Sequence, residues 1–300
     1  MNITITGASG LIGRRLLKNL GGNGHSLTVL SRHAGTNVPP GVGVVAWDPM
    51  KGPAPEDGVR NANAVIHLAG EPVAQRWNAD VKRRIRESRV VGTRNLVQAL
   101  SKLRNTPRTL VCASAVGYYG SRADEVLRED SAPDNSYLAE VCAAWEKEAV
   151  AAEAFGMRVV RVRTGVALDC RGGALQRMLT PFRMGAGGKL GDGKQWMPWI
   201  HLADLAAMFQ FAVENEVSGP LNGAAPIPVT NADFTRTLAK AVHRPAIFTV
   251  PAFGLKLLFG EMSEILLASQ RVLPAAPEAA GFKFRFPELG GALQDLLVSS

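Results

Sequence analysis

The octet Thr6–Gly13, TGASGLIG, stands between a short alternating run, Asn2–Thr6, and a stretch from Leu11 to Leu20 with apolar residues at helical spacing. Three glycines spaced this way at a strand-to-helix turn are the means by which a βαβ unit holds a dinucleotide. Gly7 permits the tight turn, Gly10 lets the backbone approach a pyrophosphate, and Gly13 lets the helix pack close to the strand. Ser9, Leu11 and Ile12 complete the turn. The helix start beyond it offers free N–H groups and partial positive charge to phosphates.

The rest of the first half repeats the alternation. Runs at Leu27–Leu30, Val42–Trp47, Ala64–Leu68, Thr109–Ala113 and Arg158–Arg163 read as strands, and stretches at 80–103 and 137–155 read as helices. Strands separated by long helices predict a doubly wound parallel Rossmann sheet covered on both faces, an α/β fold. Ligands in such a sheet bind beyond the carboxyl ends of the strands, so the loops after the strands are where chemistry is expected. From Gly172 the pattern changes. Residues 172–201, with the Gly-rich MGAGGKLGDGKQWMPWIH at their end, read as one long substrate loop, in which Trp196 and Trp199 would form a lid. Helices at 202–213 and 231–242 follow. The Pro-punctuated tail reads as a small, mostly helical C-terminal lobe, which places the expected domains at 1–245 and 246–300.

The second strand ends in Leu30-Ser31-Arg32-His33, without the acid that holds a ribose 2′-hydroxyl. Arg32 can fork onto a 2′-phosphate and Ser31 can add a hydroxyl, so the expected cofactor is NADP(H) rather than NAD(H). Trp47 and Asp48, after the third strand, are candidates to flank the adenine. Leu68, Ala69, Gly70 and Glu71, after the fourth, are candidates to pass close to the cofactor. His67 reads as a packed strand residue. Ser114, immediately after the fifth strand, is the candidate for polarising a substrate oxygen.

These motifs resemble the extended short-chain dehydrogenase/reductases. More closely, they resemble the epimerase-family proteins described as sugar-nucleotide epimerase-like or YfcH-like. The resemblance runs nearly end to end: TGASGLIG, LAGEP followed by Arg76-Trp77, SAVGYYG (Ser114–Gly120), Trp145-Glu146, RTGVAL (Arg163–Leu168), PFRMGAGGKLGDGKQWMPWIHLADL, LNGAAP and the terminal GFKFRFPEL. The last resembles a C-terminal domain of unknown function. The resemblance implies an NADP-binding oxidoreductase or epimerase, and a homodimer through the helices at 80–103 and 137–155. The related dehydrogenases pair a catalytic Tyr with a Lys four residues later, which lowers the Tyr pKa. Here Tyr137 is the candidate, but Val141 stands where the Lys belongs. Tyr118, Arg163, Gln195, Trp196 and His201 are the candidate substrate residues, and Tyr119 and Glu146 are further polar groups in matching segments.

The chain has 34 Lys and Arg against 26 Asp and Glu, a net charge of +8. Its densest basic run, Lys82 to Arg89, reads as a solvated helix face, and no nucleic-acid motif accompanies it. There is no apolar run long enough to span a membrane and no basic start with an apolar core like a signal peptide. Three scattered cysteines offer no metal pattern and fit a reducing compartment, so no metal and a cytoplasmic location are expected. Two functions remain. One is an NADP(H)-dependent oxidoreductase or epimerase-like enzyme acting on a small polar, nucleotide-linked substrate. The other is a non-catalytic NADP(H) binder serving as a redox sensor or partner protein.

Overall fold

In the computed structural model, which describes residues 1–298, seven strands form one parallel sheet: β1 (Asn2–Thr6), β2 (Ser26–Ser31), β3 (Gly43–Ala46), β4 (Ala64–His67), β5 (Thr109–Ala115), β6 (Arg158–Thr164) and β7 (Gly219–Gly223). Ser299 and Ser300, the end of the expected C-terminal unit, lie outside the described residues. The spatial order is β7-β6-β5-β4-β1-β2-β3, so the winding reverses between β1 and β4. The register is parallel throughout, with Ile5 beside both Val29 and Ile66. The central strands are β-branched and buried on both faces, as a sheet sandwiched by helices requires.

Helix α1 (Leu11–Gly22) buries Leu16, Leu17 and Leu20 against one face of the sheet. Full burial of such side chains contributes roughly 1.5–3 kcal/mol each. Helices α2 (Ala79–Leu100) and α3 (Tyr137–Val150) cover the other face through Leu96, Leu100, Trp145 and Ala149. Asn78 caps α2 by accepting from the Val81 N–H at 2.9 Å.

The expected loop at 172–201 is corrected by the structure. Its first part is a helix, α4 (Gly173–Arg183), whose Leu175, Leu179 and Phe182 share one buried face. Its second part holds three strands of two or three residues at 188–190, 196–197 and 199–201. Strands that short show no alternation, and each pairs with a segment distant in sequence, such as Trp199–His201 with Val166–Leu168. Trp199 is 1% exposed and belongs to a core, so it is not a lid residue. The edge strand β7 was not expected at all. It carries Gly, Pro and Asn in place of a β-branched run.

Helix α5 (Leu202–Glu214) lies beside α1 on the first face of the sheet. Helix α6 (Asn231–Ala241), α7 (Ala252–Phe259), α8 (Ser263–Leu267), α9 (Ala275–Ala279) and α10 (Leu289–Val298) complete the chain. The tail returns to both cores. Phe282 joins the sheet core under α5, and Leu289, Leu293 and Leu296 of α10 pack with α4 and α6. Asp204, 2% exposed, accepts from the Arg285 and Phe286 N–H groups at 2.9 Å each and holds the tail in place.

Candidate functional site

The turn after β1 leaves no room for side chains. Gly7 has φ +69°, and a Cβ there would lie 2.7 Å from the Leu68 carbonyl carbon; one on Gly13 would lie 2.5 Å from Ala8 Cα. Gly10 caps α1 without a side-chain hydrogen bond, and no acid occupies the first turn. The first N–H groups therefore face outward with the positive end of the helix dipole behind them. They open on a cleft of about 360 Å³ lined by Gly7, Gly10, Leu11, Leu68, Val166 and Gly173. Leu11 and Ile12 are half-buried in its wall, and Ser9 is exposed beside it.

The loop after β4 is held from below by Thr6. Its Oγ1 accepts from the Leu68 and Ala69 N–H groups, each at 3.2 Å, and lies 2.7 Å from His67 Nδ1. His67 Nε2 lies 3.1 Å from Thr93 Oγ1 on α2. Complete burial pushes the His67 pKa down to about 4. The ring is thus neutral, and this relay fixes the loop. The expected packing role of His67 agrees with this geometry; the part played by Thr6 and Thr93 had no signal in the sequence beyond their place on a strand and a helix. Farther along the loop, the Glu71 N–H donates to Ser88 Oγ at 2.9 Å, and the Glu71 carboxylate accepts from Gln75.

At the end of β2, Ser31 Oγ is 2.6 Å from Thr36 Oγ1, and Arg32 is exposed with no side-chain partner among the described residues. Trp47 is buried in the core under β2, its Nε1 donating to the Gly52 carbonyl at 3.0 Å. Asp48 remains half-buried at the surface, accepting from the Met50 N–H.

Ser114 and Arg163, from the ends of β5 and β6, meet through Glu146 of α3. Ser114 Oγ donates to Glu146 Oε1 at 2.7 Å; Arg163 Nε donates to the same oxygen at 2.8 Å and Nη2 to Oε2 at 3.0 Å. Arg161 adds a contact at 3.3 Å. All three principal groups are under 5% exposed. Burial works against the Arg163 charge, but the forked Glu146 carboxylate outweighs it and raises the Arg163 pKa. Arg163 Nη1 also donates to Tyr119 Oη at 2.9 Å, and Tyr119 donates to Asn222 Oδ1 at 2.7 Å. Burial pushes the Tyr119 phenol up to about 12. The Tyr118 ring stacks on the Arg163 guanidinium at 3.6 Å. Arg163 is therefore a buried strut whose charge is already matched, rather than a free anion receptor.

Tyr137 lies elsewhere. Its hydroxyl donates to the Lys82 carbonyl of α2 at 2.5 Å, and its ring meets Trp77 edge-on at 5.6 Å. Burial raises its pKa, with Arg89 and Arg86 opposing. Of the remaining three candidates, Trp196 and His201 meet the C-terminal part and Gln195 bonds within its own segment. Gln195 donates to the Leu190 carbonyl, and Trp196 Nε1 donates to Asp124 at 2.8 Å with Arg271 over its ring. His201 accepts from the Ala203 N–H at 3.0 Å, stacks on Phe286 at 4.0 Å, and lies 3.3 Å from Asp295. Burial holds the His201 pKa below its ordinary value, against the pull of Asp204 and Asp295. Among the described residues there is no group of His, Cys, Asp and Glu that could hold a metal, and no helix is long and apolar enough to cross a membrane.

Residues 3–225 match the NAD dependent epimerase/dehydratase family, and residues 250–296 match a domain of unknown function. The epimerase family protein YfhF of Bacillus subtilis is 40% identical over 300 residues, 99% of this chain and 98% of YfhF. The crystal structure of human epimerase family protein SDR39U1 with NADPH superposes with a TM-score of 0.89 at 34% identity, covering all of both chains. A nucleoside-diphosphate sugar epimerase from Corynebacterium glutamicum superposes with a TM-score of 0.80 at 38% identity, over 99% of this chain and 58% of that one.

Proposed function

Since this chain belongs to the NAD dependent epimerase/dehydratase family, we propose that it binds NADP(H) and is an oxidoreductase acting on a small polar substrate that carries a hydroxyl or a carbonyl group. The observation that carries the reading is the pairing of an uncapped α1 N-terminus, cradled by Gly7 and Gly13, with an exposed Arg32 at the end of β2 that has no side-chain partner among the described residues. The first suits a pyrophosphate and the second a ribose 2′-phosphate. The NADPH in the human relative is in keeping with this. Ser31 and Asp48 flank the adenosine end, and Leu68, Ala69, Gly70 and Glu71 line the path toward the reacting end. A nucleotide-linked substrate is favoured by the likeness to the Corynebacterium epimerase.

NADP(H), when bound, supplies or accepts hydride. The chain's own contribution centres on Ser114. Its proton is committed to Glu146, which is a pure acceptor while ionised. Ser114 Oγ therefore presents lone pairs and orients a substrate hydroxyl as an acceptor; to polarise a carbonyl it must first turn its proton away from Glu146. Arg161 and Arg163 hold the Glu146 carboxylate in place, and Tyr118 and Tyr119 wall the same side.

The experiment is NADPH oxidation, followed by absorbance, across a panel of carbonyl compounds and sugar nucleotides, with Ser114→Ala in parallel. Turnover that falls by about 10²-fold or more in the variant is the expected result, the scale of one positioned proton-handling group. Tight NADPH binding without turnover on any substrate overturns the oxidoreductase reading, and turnover unchanged by Ser114→Ala overturns the role of Ser114.

One observation favours the second reading, a non-catalytic NADP(H) binder. The Tyr137 hydroxyl is already engaged by Lys82, and Val141 stands in the Lys position. That reading requires the NADPH-bound and NADP-bound forms to differ in limited proteolysis; identical digestion patterns reject it.

A further inference from the structure

Helix α7 has the sequence AFGLKLLF, and Leu255 is its one buried residue. Phe253, Leu257 and Leu258 are 74%, 78% and 66% exposed. The strand before it, Phe248–Val250, pairs with 188–190 and brings exposed Ile247 and Phe248 to the same stretch. Five large apolar side chains thus stand in solvent between Ile247 and Leu258. Apolar residues exposed singly are ordinary, whereas a helix that turns most of its apolar side chains outward calls for something to cover it. The helix is nonetheless seated on the fold. Phe259 and Met262 pack with Trp77 and Val81 at the start of α2, so the inner side is held and the outer side is bare.

The charges around the bare side say what covers it. Lys256 lies on α7 itself and is exposed. At one end, a Cβ on Gly260 would lie 3.8 Å from Nε of the exposed Arg76. At the other, Arg244 Nε donates to the Arg183 carbonyl at 3.3 Å, and both arginines are exposed beside Met184, which is also exposed. None of these four cations is in an ion pair among the described residues. Of the acids on this side, Glu261 is taken by Lys82 at 2.6 Å, and Glu264 of α8 is exposed. A second copy of the chain does not fit this face, because a two-fold contact sets the cations of one copy against those of the other. Phe and Leu side chains that project from a short helix with lysine and arginine around them have the makeup of a segment that lies in a membrane interface. We propose that this face docks the protein on an anionic membrane surface. Phe253, Leu257 and Leu258 enter the boundary between headgroups and acyl chains, and Arg76, Arg183, Arg244 and Lys256 meet lipid phosphates. Apolar insertion and charge act together here, since neither alone gives stable anchoring. With 8 residues α7 lies in the plane of the interface and does not cross the bilayer.

The test is co-sedimentation of the full chain with vesicles of phosphatidylcholine alone and of equal parts phosphatidylcholine and phosphatidylglycerol. Binding to the mixed vesicles is expected, weaker on the neutral ones and weakened by salt. Phe253→Ser with Leu257→Ser is expected to cut partitioning about 100-fold or more, the scale of two apolar side chains no longer buried. Arg244→Glu with Lys256→Glu is expected to lower binding to the mixed vesicles about tenfold or more and to change binding to the neutral ones by no more than about twofold. All four side chains are exposed, so both variants are expected to keep the wild-type melting temperature. A wild-type chain that stays in the supernatant with both kinds of vesicle overturns the proposal. So does binding that survives Phe253→Ser with Leu257→Ser, which would mean adsorption through net charge alone. A chain that ignores vesicles but runs as a larger species in sedimentation velocity, and is made smaller by the same two serines, has a protein contact at this face, and the membrane role falls. If the double serine variant does not fold, Leu257→Trp decides: a blue-shifted emission on adding mixed vesicles supports the proposal, and an unshifted one overturns it.

Discussion

Single side chains divide into those left free for a ligand and those already committed. Arg32 is free. Its removal is expected to lower NADPH affinity about 10–100-fold, the scale of a charge-assisted contact to phosphate, and to leave NADH affinity nearly unchanged. Binding curves for Arg32→Ala with both cofactors check this, and a preserved NADPH preference counts against it. His67 is committed and buried neutral, and its charge has a calculable consequence. Its pKa is about 4 in the fold against 6.5 in the unfolded chain. Above 6.5 neither state holds the proton and His67 adds no pH dependence. As pH falls from 6.5 toward 4, the unfolded chain takes up a proton that the folded chain does not, so stability falls, by roughly 3 kcal/mol at most. Urea midpoints at pH 7 and pH 5 should therefore drop more for wild type than for His67→Gln. Parallel drops would mean that the ring is not the titrating group.

Among the elements, α4 departs most from expectation, while the tail is helical as expected and is latched to the sheet domain. Asp204 at the start of α5 holds the chain before α10 by two backbone hydrogen bonds. Asp204→Asn can keep one acceptor but puts an N–H against the other donor, and leaving a buried donor unpaired costs about 1–3 kcal/mol. The expected result is a lower melting temperature with the NADPH Kd unchanged, because neither Asp204 nor the tail residues it holds line the cleft. A drop in affinity equal to that of Arg32→Ala would show that the tail shapes the cofactor site. The α4 helix was legible in Leu175, Leu179 and Phe182, at helical spacing, but Pro181 and the following glycines drew the whole segment toward a loop. Propensity at a helix end is a weak prior that tertiary burial overrides.

For the molecule as a whole, cofactor binding should register as stability. A ligand at 100 times its Kd adds about 2.7 kcal/mol, and in a chain of this size that raises the melting temperature by about 4 °C. NADPH should produce such a shift and NADH, at the same concentration, should not. Equal shifts would assign the +8 charge and Arg32 no role in choosing between the two.

How much was readable in advance follows from the range of the forces involved. The βαβ start, the parallel sheet, the glycine turn and Arg32 at the end of β2 were legible because each depends on residues within one strand–turn–helix unit: side-chain period, φ freedom and a missing acid are local properties. The tertiary structure alone decided that Ser114 faces Glu146, that Arg163 is neutralised inside the protein, that Tyr137 turns toward α2, and that Arg89 lies over Gly70. Those partners are 17 to 55 residues apart. Which buried charge meets which carboxylate depends on the packing of α2 and α3 against the sheet, and no spacing along the chain records it.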